Sequence, residues 1–283
     1  NIFFQKYKGS FLNITDLRKC KKCGVVYAFP YPYSAEVEKY YKDGSYFSFV
    51  SNQNKKSLKI SQKIINQSRI NFISSKVSFK KIFKVLDIGS GNANFGLELK
   101  KNFSHITYDI VEPDQSIFKE NSNLITNFYL NINEIVNEKY DLIILNFVVE
   151  HLIDPASYIS KTKELLNEGG FIYIEIPNSE YEYKNSYTPH LFFWNLDSFK
   201  FFLKSKNFHI IFANTFGMDF ENAKKYFNDG KEINKYLKLN FYFLKLYSLL
   251  FPENHIKNSQ LILNLYKTNG KRNWIKALIQ KNE

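Results

Sequence analysis

The sequence predicts an α/β fold, in which a mostly parallel β-sheet is flanked by helices. Through the central part of the chain, apolar runs of strand length alternate with amphipathic segments of helical period, an order typical of parallel strands joined by crossover helices. The first of these runs, VLDI, leads into a glycine-rich turn. The 283 residues, of which 18% are aromatic, suffice for one such domain with a small appendage.

The elements divide into three regions. Residues 1–50 read as a small irregular module with short strands and a helix that begins near Ser34. Residues 51–80 read as a helical connector, and residues 81–283 as the main domain with a helical insertion at about 219–255. The predicted strands are Ile82–Ile88, Ile106–Glu112, Leu124–Leu130, Asp141–Asn146, Phe171–Ile176, His209–Phe216 and Leu261–Lys267. The predicted helices between them are Phe95–Lys101, Phe118–Asn121, Pro155–Leu166 and Leu196–Lys204.

The net charge of +12 is typical of proteins that bind nucleic acids. The lysines are scattered singly, however, without an arginine-rich block or a basic stripe. We therefore predict no nucleic-acid partner, and note that an anionic substrate or membrane leaflet would also suit a basic surface. The longest apolar run, Leu239–Phe251, contains Lys245 and is shorter than the ~20 residues of a membrane-spanning helix, so no membrane span is predicted.

Cys20 and Cys23 are the only cysteines, which excludes a structural disulfide framework and favours a reducing cytoplasm. No secretory signal is visible at the start of the chain. Because the chain does not begin with Met, we expect the natural protein to have residues before Asn1.

The glycine turn in VLDIGSGNANFG favours a bound nucleotide-like ligand, because glycine lets the backbone approach a ligand closely. The dinucleotide fingerprint needs a third glycine at position 94, where this chain has Asn94. Two acidic residues accompany the turn. Asp87 lies two residues before the first glycine, and Glu112 ends the next strand, where a carboxylate can accept hydrogen bonds from both hydroxyls of a ribose. The alternative is an ordinary strand–helix turn with a surface glutamate.

These residues resemble the signature of the class I S-adenosylmethionine-dependent methyltransferases, an acidic residue followed by spaced glycines, with Ala93 in place of the last glycine. The resemblance covers about 81–267, including YDLIILNFVVEHLIDP and LLNEGGFIYIEIPN. It implies a Rossmann-like, seven-stranded, mostly parallel sheet with an antiparallel last strand, for which Leu261–Lys267 is the candidate partner of His209–Phe216. It also implies S-adenosylmethionine as the cofactor and S-adenosylhomocysteine as its product.

The resemblance assigns the cofactor-binding residues one by one. Asp87, Gly89, Ser90 and Gly91 line the methionine end, with Asp87 facing the ammonium group. Glu112 holds the ribose. The remaining assignments are Pro113, Asn131 and Ile132 beside the adenine and Asn146 near the sulfonium.

Two of the five histidines are candidate bases for a hydroxyl acceptor. His151 follows the fourth strand, where related small-molecule O-methyltransferases carry a catalytic histidine, and His190 follows the fifth strand on a segment expected to face the acceptor. The alternative for each is a structural role, as a loop anchor fixed by Glu150 or as part of a tyrosine-rich lid. His105, His209 and His255 are interpreted as structural or exposed.

The front end, KCKKCGVVYAFPYPYSAEVEKYYKDGSYF, resembles that of methyltransferases linked to saccharide modification, in which a second cysteine pair upstream completes a zinc site. Cys20 and Cys23 supply half of such a site. We therefore predict no metal in this chain, with zinc only if an upstream pair exists. Tyr40, Tyr41 and Tyr46 are expected either to cover the cofactor and acceptor, Tyr46 being the candidate substrate contact, or to belong to the core.

The leading hypothesis is methylation of a small molecule, namely a sugar hydroxyl in a surface polysaccharide or in its nucleotide-linked precursor. Its sugar part depends on the front-end resemblance and on the aromatic insertion. The alternatives are an RNA methyltransferase, favoured by the net charge, a non-catalytic cofactor-binding module and, more distantly, a nicotinamide oxidoreductase. The segment NFVV after the fourth strand lacks the Asn/Asp-Pro-Pro-aromatic tetrad of many base-methylating enzymes. The sequence leaves the oligomeric state open.

Overall fold

A computed structural model describes residues 2–42, 55–179, 187–219 and 272–282. The predicted substrate contact Tyr46, the predicted strand Leu261–Lys267, the insertion at about 219–255 beyond Asp219, and His255 lie outside these ranges.

A small antiparallel sheet forms the front of the molecule. Its strands β1 (Ile2–Lys6), β2 (Asp16–Lys19) and β3 (Val26–Phe29) precede the helix α1 (Ser34–Lys42). Its fourth strand comes from far along the chain, because β9 (Phe192–Phe193) pairs with β3. The front sheet is therefore tied to the main domain by the segment that follows the fifth strand of the large sheet.

The main domain alternates helices and strands as predicted. In chain order its elements are α2 (Lys55–Ser74), β4 (Lys84–Ile88), α3 (Asn94–Asn102), β5 (Thr107–Val111), α4 (Ser116–Asn121), β6 (Phe128–Tyr129), β7 (Tyr140–Asn146), α5 (Pro155–Glu164), β8 (Leu166–Pro177), α6 (Leu196–Ser205), β10 (Phe208–Asp219) and β11 (Arg272–Lys281). Single 3-10 turns lie at Phe79–Lys81, Ile132–Glu134 and Val149–His151.

The large sheet has seven strands in the order β10-β11-β8-β7-β4-β5-β6. All neighbours pair in parallel except β11, which runs antiparallel to both β10 and β8. The predicted fold class, a Rossmann-like sheet with an antiparallel last strand, is confirmed.

The antiparallel strand beside β10 is β11, which the sequence pattern did not predict. The predicted candidate, Leu261–Lys267, lies outside the described residues. β11 lies inside the sheet and is buried on both faces, yet Lys276 stands in the middle of its apolar run. Lys276 is opposite Glu175 of β8 in the strand register, and that carboxylate offsets the charge that obscured the strand in the sequence.

Two other boundaries differ from prediction. The third predicted strand shrinks to Phe128–Tyr129, because the N–H groups of Leu124 and Ile125 donate to the Asn121 carbonyl at the end of α4 instead of joining a ladder with β5. Conversely β8 begins at Leu166, where the helix was predicted to end, because Leu166 pairs with Tyr140 before a register shift.

Apolar side chains fill both faces of the large sheet, and a third cluster fills the front sheet. The third cluster contains Leu191 and Phe193, which follow the fifth strand, packed with Leu17, Ala28 and Val37. Among the described helices, none combines the length and apolar character needed to cross a bilayer.

Candidate functional site

The predicted site residues gather at one edge of the large sheet. In a parallel sheet the carboxyl ends of the strands lie side by side, and ligands bind beyond that edge. The strand register aligns Ile88 at the end of β4 with Val111 of β5 and with Leu145 of β7. The glycine turn, Glu112 and Asn146 therefore follow three adjacent strand ends.

The glycine turn leaves β4 with its backbone held to the neighbouring strand, as Gly89 N–H donates to the Val111 carbonyl at 2.8 Å. Gly89 has a φ of +63°, and a Cβ there would lie 2.5 Å from the side chain of Val148, so both backbone conformation and space require glycine. Gly91 has a φ of +54° with nothing within 4 Å of its would-be Cβ, so the turn opens towards free space at this point.

Ala93, the residue that departs from the family signature, adopts a left-handed conformation with φ 54° and precedes α3. Its methyl group is fully buried in the apolar cluster. This burial offsets the ~1 kcal/mol or more that a non-glycine residue costs in this region of backbone space. The turn therefore keeps its shape with alanine in the last glycine position.

The carboxyl group of Asp87 is 2% exposed and accepts a hydrogen bond from the Tyr108 hydroxyl at 2.6 Å. Burial raises the pKa of Asp87 to about 7, while the Tyr108 hydrogen bond and the charge of Arg69 act in the opposite direction. Neither Tyr108 nor Arg69 was predicted as a site residue. Tyr108 stands over Gly96 of α3, where a Cβ would lie 2.2 Å from the tyrosine ring.

Glu112 closes the glycine turn. Its carboxylate accepts from the backbone N–H of Gly91 at 2.8 Å and from that of Asp114 at 3.2 Å. The side chain is buried, which raises its pKa to about 7 despite these two hydrogen bonds. One buried carboxylate thus fixes the turn that the sequence assigned to the cofactor.

The residues predicted beside the adenine have distinct environments. Pro113 is half-buried after Glu112. Asn131 is exposed, and its side chain caps the following 3-10 turn by accepting from Asn133 N–H at 2.7 Å. The side chain of Ile132 is in the core cluster, so only its backbone is available to a ligand.

Asn146 ends β7. Its side-chain oxygen and the hydroxyl oxygen of Ser90 are both buried, and within the described part of the chain neither has a hydrogen-bond partner. Buried polar atoms are normally satisfied, so these two atoms mark a place where a ligand with polar groups would fit.

His151 and His190, the two predicted bases, lie together with ring centroids 4.8 Å apart. Leu191 N–H donates to the Glu150 carbonyl at 2.8 Å, which joins the segment after β8 to the turn after β7. His151 Nε2 lies 3.8 Å from Glu150 Oε1, and Glu150 is 1% exposed. The Tyr41 ring from α1 packs 6.0 Å from the His151 ring.

The other described histidines are away from this pair. His105 Nε2 lies 3.2 Å from the carbonyls of Phe79 and Ile82, and His209 is exposed on β10. Tyr40 packs against Phe11 in the front sheet's core.

A buried charged cluster, absent from the sequence prediction, lies at the end of β8. Arg69 of α2 donates to Glu175 Oε2 at 2.8 and 2.6 Å, and Lys276 Nζ is 3.7 Å from Oε1. Burial by itself would raise the pKa of Glu175, but the charges of Arg69 and Lys276 hold it below the usual value. The Arg69 guanidinium also lies 5.7 Å from the Phe147 ring, next to Asn146.

The cysteine pair lies at the turn between β2 and β3. Both thiols are free and partly exposed. Hydrogen bonds from the backbone of Cys23 and Lys22 lower the pKa of Cys20, whereas burial raises that of Cys23. The described cluster with metal-ligand spacing is instead Glu150, His151 and His190, whose donor atoms lie within 4.8 Å of one another.

A family model described as a methyltransferase domain matches residues 46–213, more than half of the chain. No curated protein matches the sequence. Many solved structures share the fold.

One of these structures is the plantazolicin methyltransferase BamL in complex with a triazolic desmethylPZN analog and SAH, at 16% identity and a TM-score of 0.57, covering 88% of this chain and 95% of that one. Another is a SAM-dependent methyltransferase from Archaeoglobus fulgidus, at 18% identity and a TM-score of 0.53, covering 78% of this chain and 94% of that one. At these identities the likeness shows the fold alone.

Proposed function

The chain belongs to the methyltransferase-domain family, and we propose that it transfers the methyl group of S-adenosylmethionine to a sugar hydroxyl at the His151–His190 pair. The observation that carries this proposal is the position of the two rings, 4.8 Å apart at the same sheet edge as the glycine turn. The sugar belongs to a surface polysaccharide or to its nucleotide-linked precursor, and the substrate panel below distinguishes the two.

The chain's own residues fit the cofactor. When bound, S-adenosylmethionine supplies a methyl group on a positively charged sulfur. Asp87 is the proposed partner of its ammonium group, since a buried carboxyl with a raised pKa gains most from a neighbouring cation. Glu112 would accept from the ribose hydroxyls. Ser90 and Asn146 offer buried polar atoms that lack partners among the described residues.

The remaining assignments follow the sheet edge. Gly89 and Gly91 let the turn approach the ligand, and the open space at Gly91 is where a side chain would intrude. Pro113 and the backbone of Ile132 are proposed to border the adenine, with the exposed Asn131 at its rim.

The acceptor hydroxyl must lose its proton as the new bond to carbon forms. His151 Nδ1 lies 3.5 Å from the Pro189 carbonyl, which favours a proton on Nδ1 and makes Nε2 the ring atom proposed to act on the hydroxyl. The half-buried Tyr41 presents an aromatic ring 6.0 Å from the His151 ring. Flat apolar faces of this kind suit the C–H faces of sugar rings, which supports a saccharide acceptor.

The test is methyl transfer from labelled cofactor to a panel of nucleotide sugars, free sugars, oligosaccharides and RNA. His151→Ala or His190→Ala should lower kcat by about a hundredfold or more, the usual size of the contribution of a group that assists the loss of a proton. His209→Ala, on the exposed strand β10, is the matched control and should leave turnover unchanged. Affinity for S-adenosylhomocysteine should stay within about twofold in all three variants, because none of these side chains is assigned to the cofactor.

Two outcomes would contradict the proposal. Turnover within a few-fold of wild type in both site variants would eliminate activation at the pair and favour a nitrogen or sulfur acceptor. Methylation of RNA alone, with steep salt dependence of binding, would replace the saccharide with a nucleic acid.

A further inference from the structure

We propose that Glu150, His151 and His190 together bind a divalent transition-metal cation, to which the acceptor hydroxyl coordinates. This inference rests on the proposed function, because it specifies how the hydroxyl is activated. Two imidazoles and one carboxylate are a ligand set that holds Zn²⁺ and related cations while leaving coordination positions open for a substrate oxygen.

The backbone brings the three ligands together. Glu150 and His151 are consecutive in the 3-10 turn after β7, and His151 N–H closes that turn on the Val148 carbonyl at 2.9 Å. His190 arrives from beyond β8, held beside Glu150 by the 2.8 Å hydrogen bond of Leu191 N–H. The Tyr7 hydroxyl of the front sheet donates to the His190 carbonyl at 3.2 Å. The cluster is thus built from three parts of the fold.

The distances are those of a site that needs only side-chain adjustment. The donor atoms lie within 4.8 Å of one another, and one pair, His151 Nε2 and Glu150 Oε1, is 3.8 Å apart. An ion with ligands at about 2.1 Å keeps neighbouring donors about 3.0–3.4 Å apart. Binding an ion therefore requires the donor atoms to move closer, by rotations about the side-chain bonds of His151 and His190.

Two further features suit a metal. Histidine ligands commonly donate their second ring N–H to a carbonyl, which fixes the ring, and His151 Nδ1 lies 3.5 Å from the Pro189 carbonyl. Glu150 is 1% exposed, and a carboxylate buried to that extent is stabilised by a neighbouring cation.

The chemistry is balanced without an added oxidant or reductant. The acceptor hydroxyl coordinates the cation through oxygen and releases its proton to solvent water, because the cation lowers the hydroxyl pKa. The resulting alkoxide attacks the methyl carbon, so an oxygen–carbon bond forms while the carbon–sulfur bond breaks and its electron pair stays on sulfur. His151 and His190 then act as ligands rather than as proton acceptors.

The experiment is a titration of the chelator-stripped full chain with Co²⁺ alone, followed by its visible absorption bands. It uses a C20S/C23S background, because the thiols at the turn between β2 and β3 would otherwise compete for the ion. We expect one Co²⁺ per chain. His151→Ala and His190→Ala should each weaken binding by at least about tenfold, whereas His209→Ala should leave it unchanged. Glu150→Gln should also weaken binding, and His190→Ala keeps the test decisive if the buried Glu150 variant does not fold.

Absence of Co²⁺ binding, or an unchanged affinity in His190→Ala, would overturn the metal site. Methyl transfer at full rate by stripped protein in excess chelator would also overturn it while leaving the proposed function intact. Conversely, Co²⁺ bound as expected with no hydroxyl methylated under any metal would reject the proposed function and leave the site standing.

Discussion

Cofactor binding should depend on pH through the buried carboxyl groups at the sheet edge. Burial raises the pKa values of Asp87 and Glu112 to about 7 in the free protein. If Asp87 pairs with the ammonium group of the cofactor, it must be ionised in the complex. Binding then releases a proton below pH 7, and the affinity falls as the medium becomes more acidic.

The magnitude follows from the pKa. For one group with a pKa of about 7 that must be ionised, affinity at pH 6 is about tenfold lower than at pH 8. If Glu112 must also be ionised to accept from the ribose, the ratio becomes about a hundredfold. The measurement is isothermal titration with S-adenosylhomocysteine from pH 6 to 8 in buffers of different ionisation enthalpy, which counts the protons released.

The matched control for this prediction is Glu164→Gln, which removes an exposed carboxylate of α5 and should leave the pH profile unaltered. An affinity that is constant from pH 6 to 8, with no proton release, would refute the pairing of Asp87 with the ammonium group. A tenfold change that persists in Asp87→Asn would transfer the effect to Glu112.

Asp87→Asn should raise the stability of the free protein at high pH even though it removes the carboxylate proposed to bind the cofactor. A carboxyl whose pKa is raised on folding stabilises the protein fully below about pH 4, and that contribution is lost as the pH rises through about 7. The neutral amide does not titrate and can still accept from the Tyr108 hydroxyl. At pH 8 the variant should be more stable by on the order of 4 kcal/mol in urea denaturation, with the difference shrinking at pH 5. Lower stability at both pH values would contradict this account.

Two further substitutions test the packing of the site. Gly96→Ala places a methyl group 2.2 Å from the Tyr108 ring and should lower the free energy of unfolding by about 3 kcal/mol. The methyl group of Gly91→Ala meets nothing within 4 Å, so this variant should lose only about 1 kcal/mol of stability while binding S-adenosylhomocysteine more weakly. Equal losses of stability in the two variants would disprove the distinction. Arg69→Met removes the main partner of Glu175, and leaving that carboxylate buried should cost about 3–5 kcal/mol in denaturant titration, whereas a loss below about 1 kcal/mol would show that Lys276 suffices.

The sequence predicted the sheet edge well because that edge depends on chain order. Parallel strands place their carboxyl ends together, so the residues after VLDI, after the second strand and after the fourth strand had to converge. The same rule predicted that His151 and His190 follow adjacent strands, and their rings are 4.8 Å apart. Chain order alone does not predict the hydrogen bond from Leu191 N–H to the Glu150 carbonyl, which holds the two segments together.

The features that the sequence did not predict are charged residues that interrupt an apolar strand or an apolar helix face. Lys276 interrupts β11 and Arg69 stands on the apolar side of α2, four residues before Ile73, so each weakened the pattern that would have shown its role. Only the fold places both beside Glu175. An arginine at an apolar helical position is nevertheless a signal, because a buried guanidinium needs a carboxylate partner elsewhere in the chain.

The four central strands of the large sheet share an electrostatic feature that stability alone does not explain. A buried carboxyl group ends or follows each of them, namely Asp87, Glu112, Glu150 and Glu175, all between 1% and 6% exposed. Burying such groups is costly, and two of them have pKa values raised to about 7. The charge of Glu175 is offset within the fold by Arg69 and Lys276, so the buried acidic groups proposed to meet the methyl donor are Asp87 and Glu112. The methyl donor carries positive charge on sulfur and nitrogen, so the cost of burying Asp87 and Glu112 is recovered when the ligand binds rather than when the chain folds.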